Sequence, residues 1–123
     1  MRRFFCRSLV ALTVSAGCSA VAHHSFATFD GAKTLILDGV VQQVEWANPH
    51  LWIWISVPNG AGATKEWGVE GPPVNVFARR GWKPDTLKPG DRVKISIHPL
   101  KSGQPGGSFM SATRADGTLI GKR

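Results

Sequence analysis

The sequence has no tyrosine, and among its 123 residues only two methionines and two cysteines. Both cysteines, Cys6 and Cys18, fall in the first 18 residues. A domain that starts beyond them has no disulfide and no thiolate ligand, so its core alone must hold it together. No apolar run reaches the roughly 20 residues that a membrane-spanning helix needs. There is no charge block, no internal repeat, no nucleophile elbow, no Cys–His pair and no Gly-rich phosphate loop. Glu45, Glu66 and Glu70 show no spacing that singles out a catalytic pair. The chain therefore reads as a binding protein and not as an enzyme.

The N-terminus reads as an export signal. Arg2, Arg3 and Arg7 form a basic n-region without an acid, Leu9 to Val14 a short apolar core, and Ala20-Val21-Ala22 a small-x-small cleavage triplet. Cleavage after Ala22 makes residues 23–123 one domain, periplasmic or secreted. Two variants of the signal stay open. Val14 to Cys18 resembles a lipoprotein box that would anchor the chain at Cys18, and the paired arginines resemble a twin-arginine signal. Losing three arginines lowers the 15 Lys and Arg to 12 against 8 acids, so much of the formal +7 belongs to targeting.

Fourteen glycines and eight prolines punctuate short segments, as in a small β domain. The stretch TLILDGVVQQVEW is extended, with a break expected near Gly39. HLWIWISV alternates strictly: Leu51, Ile53, Ile55 and Val57 face one way, His50, Trp52, Trp54 and Ser56 the other. TKEWGVE is a third strand with Trp67 and Val69 on one face. In GPPVNVFARRGW, Pro72 and Pro73 suit a first helical turn, Gly81 a C-terminal cap, and Val74, Phe77 and Ala78 an apolar stripe. LKPGD suits a type II turn. RVKISIHPL is a fourth strand with Val93, Ile95 and Ile97 inward. SFMSATRADGTLI is a fifth, with a hairpin turn before a last short strand. Three strands, a short helix and two strands predict a mainly β, OB-type five-stranded barrel, with a small β-sandwich as the alternative.

Taken together, AHHSF after the signal, VEWANPH, RRGW and LKPGD resemble a family of small secreted bacterial proteins known only as a domain of unknown function. The matching positions are His23 to Phe26, Trp46 with Asn48 to His50, and Arg79 to Trp82. The resemblance implies export and one compact β domain, and it implies no activity.

All four histidines, His23, His24, His50 and His98, follow the cleavage triplet. Cleavage after Ala22 would give His23 a free α-amine. Amine and imidazole then chelate one metal ion, and a third nitrogen from His50 or His24 completes a set suited to Cu(II). Zinc is the less favoured ion, since it needs a tetrahedral set of imidazoles. Met110 is the only methionine beyond the signal, which disfavours a Cu(I) thioether site. The competing expectation is a module that binds a glycan or a protein partner on Trp52 and Trp54, with Trp46 or Trp67 as possible extensions of the platform, because exposed indoles are costly unless they bind something. Phe26 and Phe29 are spaced to lay HSFATFD across these rings, which would bring His23 and His24 towards His50. Arg79, Arg80 and Lys83 form a basic cluster at the helix end, expected to be a solvated face. The export signal argues against nucleic acid as a ligand.

Overall fold

A computed structural model describes residues 28–122. Five strands, β1 (Leu35–Glu45), β2 (Trp52–Pro58), β3 (Thr64–Glu70), β4 (Arg92–Pro99) and β5 (Gly106–Arg114), and one short helix, α1 (Val74–Arg79), follow in the order β1-β2-β3-α1-β4-β5. The strands close into a barrel in the order β1-β2-β3-β5-β4. That connectivity, with the helix between β3 and β4, is the OB-type barrel. Closure around the whole ring rules out the sandwich.

β1 is long because it serves two neighbours. Its first half pairs with β4, from Leu35↔Ile97 to Val40↔Arg92, and its second with β2, from Val40↔Ser56 to Glu45↔Trp52. The irregularity expected near Gly39 lies between Val41 and Gln43. Gly39 stays in register with Val93, and its role is close approach: a Cβ there would run into the Ser56 carbonyl. The bulge resets the alternation, so that Val41 and Val44 both contribute to the core while Gln43 and Glu45 stay exposed.

The core is aliphatic along the barrel and aromatic at one end. Val41, Leu51, Ile53, Ile55, Val69, Ile95 and Ile97 are fully enclosed. The α1 side chain Phe77 plugs the end, with ring centroids 5.0 Å from both Trp82 and Phe109. Of the expected helix stripe only Phe77 is buried. Ala78 is exposed and Val74 half-buried, because a helix of six residues inserts one side chain and not a face. Trp82 completes that layer from beyond the helix, its indole N–H donating to the Ile120 carbonyl at 3.2 Å. Gly81, at φ +87°, makes the left-handed turn that brings Trp82 back under α1. In LKPGD, Gly90 has φ +95°, as position i+2 of a type II turn requires. The expected last strand is one isolated bridge, Thr113↔Leu119, followed by the buried Ile120.

The described chain enters along the end of β4. Phe29 bridges Leu100, the Asp30 amide donates to the Pro99 carbonyl at 2.8 Å, and the Lys101 amide donates to the Thr28 carbonyl at 3.0 Å. Among the described residues no helix is long and apolar enough to cross a membrane.

Candidate functional site

The outer surface of β2 and β3 carries the expected tryptophan face. Leu51, Ile53 and Ile55 fill the barrel, so strand alternation turns Trp52 and Trp54 outward. The two indoles stack with centroids 5.7 Å apart and planes within 13°. Trp54 lies down on β3: a Cβ on Gly68 would come within 2.7 Å of its ring. Gly68 is the cross-strand partner of Trp54, so the bare glycine is what lets the indole lie against the sheet. Trp52 stands between two carboxylates, paired with Glu45 on β1 and Glu70 on β3. Directly opposed side chains of this kind have Cβ atoms about 5 Å apart.

Trp46 and Trp67 do not extend this platform. Trp67 sits opposite Ile55 in the inward row, and Trp46 packs against Phe77 at 6.4 Å between centroids. With Trp82, three of the five tryptophans serve the core and two face outward.

The loop from Trp46 to Leu51 holds His50 at the edge of the platform. The Asn48 side-chain oxygen accepts the Val74 amide of α1 at 3.3 Å, a cap that Pro73 lacks the side chain to provide. The Asn48–Pro49 peptide is cis. The Gly71 amide donates to the Leu51 carbonyl at 2.7 Å, and the Leu51 amide to the Pro72 carbonyl at 3.3 Å. So held, His50 places Nδ1 3.2 Å from the Gly71 carbonyl and 3.3 Å from Glu70 Oε1. Glu70 thereby joins His50 to Trp52, which brings three of the expected site residues into one neighbourhood.

The other histidines do not join them there. His98 lies two strands away along the row Glu70–Ser108–His98, with Nδ1 2.7 Å from the Lys33 carbonyl. His23 and His24 lie outside the described residues, as do the cleavage triplet, Cys18 and Phe26. Phe29 forms an isolated backbone bridge with Leu100 beyond the end of β4. Among the described residues no group of three His, Cys, Asp or Glu is disposed to hold a metal ion. Arg79 and Lys83 are exposed and Arg80 half-buried, and the Arg79 guanidinium donates back to the Asn75 carbonyl.

Two features of the site escaped the sequence reading: Gly68 as the bed of Trp54, and the flanking of Trp52 by Glu45 and Glu70. The spacing Glu66-x-Gly68-x-Glu70 was a usable signal, because alternation puts these three on the face opposite Trp67 and Val69.

Two solved forms of the S. cerevisiae mitochondrial single-stranded DNA binding protein Rim1 are similar in structure. Each superposes with a TM-score of 0.49 over 74% of this chain, covering 96% and 98% of the Rim1 chains at 10% and 11% identity. No curated protein matches the chain in sequence. The family model described as a family of unknown function, DUF6152, matches residues 11–109, and the chain belongs to that family.

Proposed function

We propose that this chain is an exported binding module whose ligand face is the outer surface of β2 and β3, and that the ligand is a glycan. One observation carries the reading: two indoles stacked within 13° of parallel on the outside of a closed barrel, with Trp54 laid over a glycine. A flat indole surface suits the C–H face of a sugar ring, and the strand 2–3 face is where OB-type barrels take oligosaccharides. Oligosaccharide titration followed by tryptophan fluorescence tests it. Trp52→Ala and Trp54→Ala should each weaken binding about tenfold or more, the equivalent of ~1.4 kcal/mol, with the fold intact. Unchanged affinity in both variants would refute the assignment.

A second reading is favoured by His50. Its Nδ1 lies against a carbonyl and a carboxylate, the contacts that orient the ring of a metal-ligating histidine. In this reading copper is chelated by the amine and ring of His23 with help from His50 or His24, and zinc is the weaker competitor. The chain would be a carrier or a sensor and not an enzyme. Protein beginning at His23 is titrated with Cu(II) beside a form with one extra N-terminal alanine. The extended form should bind far more weakly, because its His23 nitrogen is an amide. Equal affinity would sink the terminal chelate.

A further inference from the structure

The glutamates of this chain are not scattered. Glu45, Glu66 and Glu70 are its only three, and all border the tryptophan face. Glu45 and Glu70 flank Trp52, and Glu66 is the partner of Ser56, one step beyond Trp54. In the outward row that β2 and β3 share, from Trp52↔Glu70 to Pro58↔Thr64, the only ionisable side chains are Glu66 and Glu70. His50 faces Glu70 from the neighbouring loop. Without the three arginines of the signal the chain is still basic, with 12 Lys and Arg against 8 acids. A face of the opposite sign on a basic protein attracts cations and turns away polyanions.

The shape of the aromatic pair narrows the class of cation. A bare ammonium is held best by rings set around it as the walls of a cage. Here the rings are near-parallel and in contact, so they offer one platform and no cage. A platform suits a ligand that is itself a ring, with its charge carried at the edge.

Resting on the glycan reading above, we propose that this face selects glycans bearing free amino groups. The sugar ring stacks on Trp52 and Trp54, and its ammonium lies between the Glu45 and Glu70 carboxylates. Deacetylated amino sugars are the matching chemical class. N-acetylated chains keep the stacking and lose the charge, and uronic-acid chains reverse the sign.

Exported protein, residues 23–123, is titrated with β-1,4-linked tetramers of glucosamine and N-acetylglucosamine, with the α-1,4-linked tetramer of galacturonic acid and with tetralysine, at low and at physiological ionic strength. The glucosamine tetramer should bind about tenfold tighter than its acetylated form, the sum of two partly solvated ion pairs and a cation–π contribution. That preference should shrink with salt. In the double variant Glu45→Gln, Glu70→Gln the amino tetramer should lose that advantage and bind no more tightly than the acetylated one. Glutamine at 70 keeps an acceptor for His50, and unfolding midpoints of the variant check the fold. Equal binding of amino and acetylated tetramers overturns the charge selection and leaves the tryptophan platform standing. Tetralysine binding as tightly as the amino sugar overturns the sugar half of the proposal. No binding by any sugar overturns both.

Discussion

Two glycines three residues apart, Gly68 and Gly71, each lie under an aromatic ring, on opposite sides of the barrel wall. A Cβ at Gly68 would meet Trp54 at 2.7 Å, and one at Gly71 would meet Phe77 at 2.5 Å. The local requirement is the same and its surroundings differ. Phe77 is fully enclosed among Trp46, Trp82 and Phe109, so its ring has nowhere to go. Trp54 is half-buried, stacked on Trp52 and laid against Gly68, with one side of the sheet open to solvent. The inner contact therefore secures the fold, and the outer contact shapes a surface. One strand and its exit loop thus separate what holds the fold from what shapes the outer face.

Removing the inner ring should produce the largest effect. Phe77→Ala takes away the plug that Trp46, Trp82 and Phe109 pack against, and should cost about 3–5 kcal/mol in denaturant unfolding. For a domain of this size that is a large share of the whole stability, typically about 5–15 kcal/mol. Gly71→Ala comes next. Its methyl group meets the Phe77 ring at 2.5 and 2.8 Å and the Leu51 carbonyl at 3.3 Å, and backbone cannot move aside cheaply. The overpacking should cost about 1–3 kcal/mol, read as a lowered unfolding midpoint with an unchanged denaturant slope. A midpoint equal to the parent would show that the end of the barrel is looser than the ring contacts imply.

Asn48→Ala tests the loop that joins the two sides. Its side chain caps α1 while its own loop positions His50. Loss of the cap should cost about 1 kcal/mol. It should also disturb the His50 ring environment, read as a shift of its imidazole resonances while those of His98 stay in place. Two unmoved histidines would mean that the loop is held by its backbone bonds to Gly71 and Pro72 alone.

The same division explains what could be read in the sequence. HLWIWISV announced both faces of β2, because a two-residue period leaves no ambiguity once one side is all aliphatic. Gly81 and Pro89-Gly90 were legible for the same reason: a left-handed backbone or a fixed φ is a property of one or two residues. Alternation in TKEWGVE puts Glu66 and Glu70 on one face, but that Glu45 and Glu70 stand beside Trp52 was not legible, because it depends on register between distant segments. The bulge between Val41 and Gln43 is decisive there. Without it, alternation from Val41 would turn Gln43 and Glu45 inward, and Glu45 would not stand beside Trp52. The inner role of Trp46 was hidden likewise, since nothing near it in sequence announces Phe77, its partner 31 positions later. Where two segments must meet, composition says which residues are available, and only topology says which become neighbours.

The smallest expected change in stability is the one that most sharpens the comparison. Gly68→Ala places a methyl group against the Trp54 ring, as Gly71→Ala does against Phe77, but this ring can swing towards solvent. The contact is with the far edge of the indole, at 2.7–3.3 Å, and a rotation about its side-chain torsions relieves it without moving backbone. Unfolding free energy should therefore fall by less than about 1 kcal/mol, near the cost of one off-rotamer side chain. The stacking of Trp54 on Trp52 should nevertheless break. That loss is visible as altered tryptophan fluorescence and as the disappearance of ring-current shifts between the two indoles. Ligand affinity should drop with it, although neither tryptophan has been touched. If Gly68→Ala instead destabilises the protein as much as Gly71→Ala, Trp54 is part of the fold's support, and the outer face is no freer to serve a ligand than the inner one.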